Sequence, residues 1–394
     1  MTSPAAHPEK KQRDVRLDFF RGLAMLIILV AHIPDNSWNA WIPARFGFSS
    51  GAEMFVFCSG FASSLAFGSI FVKRGLAMGT ARIAHRIWQL YWAQIVLFMV
   101  ITGVTLTAVK YVPHGAYLEF LSLDWFIANP GEGLLGLLTL RYIPNLFDML
   151  PMYIVILASV PIAMLLAGIS PKLTLATSVA VWLYVQATGF NLSSRPGSDL
   201  IWYFNPIAWQ MLFFTGFGFG MGWIPPPPLR DRRLVIIAAL LVVLSIPLTF
   251  WGVVESFPIF DELRSFFIAD LRPTNLHIVR YLHFFALAYL ALSLIEPIRG
   301  RLADAAFAKP IIRIGQQTLA VFLSSIVIAW TLGILLDAHG RTTLTVAAAN
   351  LVGLALLFAV AYVVAWFKSQ PWKQRAPATP RERISVPIGL QPAE

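Results

Sequence analysis

The chain has 394 residues, of which 57% are hydrophobic and only 13% are charged, and its mean hydropathy is +0.69. Soluble domains are about 45–50% apolar and about 25% charged, so this composition excludes an ordinary soluble protein. The formal net charge is +10, but the basic residues lie in short segments between apolar runs, which excludes a nucleic-acid-binding face. The single cysteine, Cys58, excludes an intramolecular disulfide and a thiolate metal cluster, and no metal site is predicted.

Apolar runs of membrane-spanning length recur along the chain, since a helix needs about 20 apolar residues to cross a bilayer. They fall at 17–34, 50–72, 87–109, 149–168, 173–190, 206–224, 234–253, 279–297, 311–336 and 344–367. The pattern predicts an all-α membrane protein of about ten transmembrane helices. A basic leader at 1–16 precedes the membrane domain at 17–367, and a tail at 368–394 is expected to be disordered.

The distribution of Lys and Arg predicts the orientation of these helices. Placing the N-terminus inside assigns most of the 30 basic residues to cytoplasmic segments, in agreement with the positive-inside rule. With an even number of spans, the C-terminus is then cytoplasmic as well. The first apolar run is followed by no signal-peptide cleavage site, and it is predicted to act as an uncleaved anchor.

The first span carries three ionisable residues, Asp18, Arg21 and His32. Such a residue costs about 3 kcal/mol in a membrane helix, so it usually faces the protein interior. Arg21 and His32 are eleven residues apart, which places them on one helix face, about 16 Å apart along the axis. One interpretation is a functional stripe with a cation near the cytoplasmic end and an imidazole near the outer end. The other is an arginine that snorkels to the inner interface and a histidine that caps the outer one.

The second span begins with Glu53 at the predicted level of His32. A carboxylate beside an imidazole fixes its tautomer and raises its basicity, so Glu53 is predicted to orient His32 as a general base. The alternative is an ordinary interfacial acid. Ser59 and Gly60 lie deeper in this span and predict a close approach of another helix.

Further polar residues open other predicted spans from the outer side. They are Tyr153 in the fourth, Asn205, Trp209 and Gln210 in the sixth, and Arg280 and His283 in the eighth. Together they predict a polar cluster at a cavity that is reached from outside. Interhelical hydrogen bonding is the alternative for Asn205 and Gln210, and an interfacial anchor is the alternative for Arg280.

These residues resemble the acyltransferase-3 superfamily of membrane O-acyltransferases, and within it the OpgC branch, named for succinylation of osmoregulated periplasmic glucans. An Arg, ten residues and a His in the first span carry the resemblance, with Phe55-Val-Phe-Cys-Ser-Gly60 in the second. It extends through Leu150-Pro-Met-Tyr153, Asn205-Pro-Ile-Ala-Trp-Gln210 and Arg280-Tyr-Leu-His283, over about 13–367. Cys58 replaces the leucine usual before Ser-Gly, and Gly315-Gln-Gln-Thr318 replaces the usual Gly-x-x-Ser.

The resemblance implies a multi-pass enzyme of the bacterial inner (cytoplasmic) membrane that moves an acyl group from cytoplasmic acyl-CoA to a hydroxyl of a periplasmic glycan. Acyl-CoA would be a co-substrate, with no tightly bound cofactor, and succinyl is one candidate acyl group. His32 would be the catalytic base. Arg21, Arg82 and Arg86 would bind the CoA phosphates, and Arg280 would bind a succinyl carboxylate.

Two other classes remain open at this point. Intramembrane Arg, His and Glu also serve ion or proton relays, so a secondary transporter is the main alternative. Transporters of that kind commonly have repeated halves with interrupted helices, a pattern that the sequence lacks. A scaffold subunit without chemistry is the third interpretation.

Overall fold

The computed structural model describes residues 15–112, 116–267 and 272–373. Most of the predicted leader and tail therefore lie outside the described residues. Within the described ranges the chain is predominantly helical, and its only β pairing is an isolated bridge between Ser193 and Ile201.

A helix occupies each apolar run that the sequence predicts. We number the principal helices α1 (Val15–His32), α2 (Gly51–Ser63), α3 (Ser69–Tyr111), α4 (Met149–Ile169), α5 (Pro171–Thr188), α6 (Pro206–Met221), α7 (Arg232–Thr249), α8 (Ile278–Ile295), α9 (Ala308–Gln316), α10 (Thr318–His339) and α11 (Thr343–Ser369). Shorter helices lie between them, at Tyr117–Phe120, Leu123–Ala128, Pro130–Leu138, Trp251–Val254 and Pro258–Phe267.

Six helical segments of the described chain are long and apolar enough to cross a membrane. They are Gly51–Tyr111, Met149–Ile169, Arg232–Thr249, Ile278–Ile298, Thr318–His339 and Thr343–Ser369. This is the fold of a helical membrane protein. The count of ten spans and the cytoplasmic placement of both termini stay predictions.

The connection between the second and third predicted spans differs from the expected loop. A π-helical turn at Ser64–Gly68 joins α2 directly to α3, and the helical path breaks only at Gly75, whose φ is +79°. This positive φ favours glycine, which lacks a β-carbon. The basic segment expected between the two spans is therefore helical, because it contains helix-forming residues and no proline.

Close packing of α2 against α6 confirms the approach predicted at Gly60. A β-carbon at Gly60 would overlap the backbone carbonyl of Phe213, and one at Gly216 would overlap that of Phe57. Small residues on both helices thus bring the two backbones into contact, as is common between membrane helices. The contact fixes the depth of α2, which carries Glu53.

The outer segments pack on the helices below them through aromatic side chains. Phe120 stacks on Trp330 of α10 at a ring distance of 5.5 Å, and the hydroxyl of Tyr117 donates to Asp337. The guanidinium of Arg195 lies 5.7 Å from the ring of Trp125. These aromatic residues are engaged in contacts within the protein.

Candidate functional site

The inner half of the polar stripe on α1 faces α2. Asp18 is buried and Arg21 is half-buried, and the charges of both act on the buried thiol of Cys58 in α2. Nearer the outer end, a β-carbon at Gly51 of α2 would lie 3.3 Å from Cγ1 of Ile28. The two helices are thus antiparallel neighbours, and this part of the stripe meets protein.

A second pair of glycines holds α1 against α9. A β-carbon at Gly22 would overlap the carbonyl of Ile311, and one at Gly315 would overlap the carbonyl of Asp18. The hydroxyl of Thr318 donates to the carbonyl of Gly315 at 2.6 Å, which closes the turn between α9 and α10. Gly22 and Gly315 thus allow α1 and α9 to approach closely, and the Gly315-Gln-Gln-Thr318 sequence forms the turn between α9 and α10.

His32 is the last residue of α1, and its Nδ1 lies 2.7 Å from the carbonyl oxygen of Ile28. A carbonyl oxygen can only accept, so Nδ1 carries the hydrogen of the neutral ring and Nε2 carries the lone pair. The imidazole is half-buried. It is therefore anchored through one nitrogen, with the basic nitrogen on the opposite side of the ring.

The segment after His32 is fixed by residues that sequence reasoning missed. Asn36 and Asn350 are buried and exchange two side-chain hydrogen bonds of 2.8 and 2.9 Å. Arg341 donates to the carbonyl of Pro34 at 2.8 Å. The sequence feature that could have indicated this contact is Asn350, an asparagine inside the last apolar run. Its partner, Asn36, lies 314 residues away.

Glu53 does not orient His32 in the way the sequence predicted. Its carboxylate is fully buried, and one oxygen accepts from the backbone and hydroxyl of Ser50, at 2.7 and 2.8 Å. The other oxygen lies 2.6 Å from Nη2 and 2.8 Å from Nε of Arg280. The capping box of α2 and the guanidinium thus hold both oxygens, and the Ile28 carbonyl takes the predicted role of fixing the imidazole tautomer.

Arg280 is correspondingly not an interfacial anchor. Its side chain is buried and forms the ion pair with Glu53, which joins α8 to α2. Removing one partner of such a buried pair typically costs about 3–5 kcal/mol, because the other charge stays buried. The role of Arg280 as a cation for a succinyl carboxylate is thereby weakened, because its charge is balanced by Glu53.

His283 lies one turn after Arg280 and is also buried. Its Nδ1 is 3.3 Å from the backbone nitrogen of Ser49 and 2.8 Å from the hydroxyl oxygen. A backbone N–H can only donate, so Nδ1 of His283 accepts and Nε2 carries the hydrogen. His283 and His32 thus have opposite neutral tautomers.

Asn205, Trp209 and Gln210 form hydrogen bonds to other segments of the chain. The Asn205 amide donates to the side chain of Asn275 at 3.0 Å, and the Trp209 indole donates to the carbonyl of Pro273 at 2.7 Å. The Gln210 amide and Ser178 exchange two bonds. The interhelical interpretation is therefore confirmed for Gln210, whereas Asn205 bonds to the non-helical segment that precedes α8.

The segment that these residues hold leads directly into α8. Two residues of α5 that sequence reasoning missed add to it: Trp182 donates to the carbonyl of Leu276 at 3.0 Å, and Gln186 donates to that of Asn275 at 2.7 Å. The arrangement positions the first turn of α8, and with it the guanidinium of Arg280.

The remaining predicted polar residues of the core lie deeper. Tyr153 of α4 pairs its hydroxyl with that of Ser63 at 3.1 Å. Ser59 is buried in α2 beside the close contact at Gly60. Both side chains lie between helices, several residues along the chain from the Glu53–Arg280 ion pair.

Asp148 and Tyr203 complete the outer polar cluster. Burial raises the pKa of Asp148 to about 7, although its carboxylate accepts a 3.1 Å hydrogen bond from the backbone of Tyr203. Burial also raises the pKa of the Tyr203 hydroxyl, which lies within the field of Arg280, Asp148 and Glu53. The sequence marked Asp148 only as the start of a span, because its burial depends on the distant Tyr203 segment.

Arg82 and Arg86 occupy a different part of the molecule from the α1 stripe. Both lie on α3, where Arg82 is exposed and Arg86 donates to the side chain of Gln89 at 3.1 Å. Helix α3 packs chiefly on α4 and α10, whereas α1 packs chiefly on α2, α9 and α10. These arginines therefore lie on a helix whose principal neighbours do not include α1.

Comparison with known proteins gives a single assignment. No curated protein and no solved structure matches the chain. A family model described as OpgC protein matches residues 13–369, which include all the helices described above. The chain therefore belongs to the OpgC protein family.

Proposed function

We propose that this protein is a membrane O-acyltransferase that moves an acyl group from cytoplasmic acyl-CoA to a hydroxyl of a periplasmic or envelope glycan. Family membership implies a transferase and supports osmoregulated periplasmic glucan as the acceptor. Succinyl is the acyl group we favour. The proposal includes the predicted topology of about ten spans with cytoplasmic termini, in a bacterial inner membrane.

The observation that carries the proposal is the hydrogen bond from His32 Nδ1 to the Ile28 carbonyl. It leaves Nε2 as the basic nitrogen, which a general base requires. As the acceptor hydroxyl attacks the thioester carbonyl, its proton passes to Nε2 and the new C–O bond forms. The C–S bond then breaks, and the CoA thiolate leaves with that proton.

The same hydrogen bond also stabilises the protonated intermediate. An imidazolium donates from both nitrogens, so Nδ1–H keeps its bond to the Ile28 carbonyl while Nε2 holds the transferred proton. A backbone carbonyl at the C-terminal end of α1 carries part of the negative end of the helix dipole. His32 can therefore take up and return a proton without rotating.

Arg21 is the proposed contact for CoA at the cytoplasmic end of α1. Its guanidinium can bind a phosphate through two parallel hydrogen bonds. The axial separation from His32 is about 16 Å, which an extended pantetheine arm can bridge. The outer polar cluster around Glu53, Arg280 and Asp148 is the proposed floor of the acceptor site.

The test is transfer of labelled succinyl from succinyl-CoA to purified periplasmic glucan by the full-length protein in nanodiscs. His32→Ala should lower the rate by about 10²–10⁴-fold, the usual contribution of a positioned histidine. His339→Ala is the matched control, because exposed His339 ends α10 with the same bond, from Nδ1 to the carbonyl of Leu335 at 2.9 Å.

Equal rates for wild type and a correctly inserted His32→Ala protein would eliminate His32 as the base. Absence of transfer by the wild-type protein to any glucan, with every acyl-CoA supplied, would eliminate the proposed function itself.

A further inference from the structure

An apolar groove lies on the outer surface of the helical assembly, between α3, α10 and α11. Its volume is ≈ 640 Å³, and nearly all of its lining side chains are hydrophobic. Trp92, Val96 and Val100 of α3 line it and are all largely exposed. In a membrane protein such a surface meets lipid, so an acyl chain is the chemically matched occupant.

Along one face of α3, the residues that line the groove are apolar and the residues beyond its end are basic. Val100, Val96, Ala93 and Gln89 line the groove. At 100° per residue they fall within about 60° of the midline between Arg82 and Arg86. Gln89 lies at the junction, because its side-chain oxygen accepts from Arg86 at 3.1 Å. The Arg86 guanidinium therefore stands at one end of the groove, and Arg82 lies about one further turn along the helix.

The length of this apolar face of α3 matches the thickness of one leaflet of the bilayer. Gln89 to Val100 covers about 16 Å at 1.5 Å per residue, and half of the bilayer hydrocarbon is about 15 Å thick. Arg86 lies less than one turn beyond Gln89. In the predicted orientation this end is cytoplasmic, so the arginines lie at the depth of the inner-leaflet phosphates.

The charged residues near this end in the sequence are also all basic. Residues 54–118 contain no Asp or Glu, but they include Lys73, Arg74, Arg82 and Arg86. An anionic headgroup placed here meets basic side chains with no carboxylate nearby in the sequence. Basic residues near the membrane surface attract anionic lipid.

We propose that this groove seats an acyl chain of an anionic phospholipid whose phosphate is bound by Arg82 and Arg86. The site is separate from the polar stripe on α1 and independent of the proposed acyl transfer. It assigns to these two arginines a lipid phosphate in place of the CoA phosphates expected from the sequence.

The test measures lipid selectivity of the full-length protein in phosphatidylcholine vesicles containing spin-labelled phosphatidylglycerol. Arg82→Ala/Arg86→Ala should lower the affinity for phosphatidylglycerol relative to phosphatidylcholine by about thirtyfold. The control Arg232→Ala/Arg233→Ala removes two exposed arginines from α7 and should change it little. An unchanged selectivity in the first variant, or an equal loss in the control, overturns the proposal.

A second pair of variants tests the groove. Val327→Trp fills it from α10 and should displace the bound lipid, whereas Val243→Trp alters an equally apolar, exposed position on α7 and should not. Retention of the lipid in Val327→Trp overturns the groove as its seat. Free CoA is added in a last arm. Displacement of the lipid by CoA would show that the arginines serve the donor and would overturn the lipid assignment.

Discussion

The imidazoles of His32 and His283 are held in opposite tautomers by backbone groups. A carbonyl holds His32 through Nδ1–H, and a backbone N–H holds His283 through its Nδ1 lone pair. The two residues are therefore not interchangeable as bases: Nε2 of His32 accepts a proton, whereas Nε2 of His283 already carries one. This difference favours His32 as the residue that receives the proton of the acceptor hydroxyl.

Asp148 makes the stability of the fold depend on pH. Its pKa is raised from 3.8 to about 7 in the folded protein, so the folded state binds a proton that the unfolded state has released. The contribution of this group to stability is thus fully present below about pH 4 and is lost as pH rises through about 7, a change of about 4 kcal/mol.

Asp148→Asn should abolish this contribution while retaining an oxygen for the Tyr203 backbone. The thermal unfolding midpoint of the purified protein, measured across this pH range, should fall less with rising pH in the variant than in the wild type. Asp124→Asn, at an exposed position, is the control. Identical pH dependence in Asp148→Asn and the wild type would contradict the assignment.

The helices show which features are local enough to be predicted from sequence. Hydropathy predicted a helix in each of ten apolar runs, although the single run at 311–336 contains two helices, α9 and α10. Gly60 was predicted as a close contact because small residues in membrane helices have that effect wherever their partner lies. The partner of Glu53 was not predictable, because Arg280 is 227 residues away and only the packing of α2 beside α8 brings them together. The nearby His32 was the wrong choice, since the capping box turns the carboxylate back toward Ser50.

The α2–α6 contact should tolerate no added methyl group. Gly60→Ala places a β-carbon against the Phe213 carbonyl and should lower the free energy of unfolding by about 1–3 kcal/mol. Gly103→Ala is the matched control on α3, where a β-carbon meets nothing within 4 Å. Thermal unfolding in detergent compares the two, and equal midpoints would show that the helices can separate without cost.

For the whole molecule, the fold class was evident from composition, because the bilayer constrains a spanning chain to helices whose backbone groups bond internally. The length and hydropathy of a helix alone do not identify every predicted membrane span. Helix α1 includes Arg16, Asp18 and Arg21, and α6 has only 16 residues, so neither is among the six long apolar segments. The predicted orientation rests on the distribution of Lys and Arg, which is independent of helix length.

Single-cysteine labelling tests that orientation. Cys58 is the single cysteine and is buried, so a Cys58→Ala background leaves no native thiol to label. In this background, Gly131→Cys should react with a membrane-impermeant maleimide in intact cells, and Gly300→Cys only after permeabilisation. Both glycines have open space around a β-carbon, which makes the two sites comparable. The reverse pattern would invert the topology.

The ion pair between Glu53 and Arg280 also bears on how the protein is made. Synthesis proceeds from the N-terminus, so α2 enters the bilayer with its carboxylate long before the ribosome reaches α8. Until α8 is made, the hydrogen bonds from the nearby Ser50 stabilise the charge of Glu53. The buried ion pair can therefore form only after α8 has been made, so the packing of α8 beside α2 is a late step of assembly.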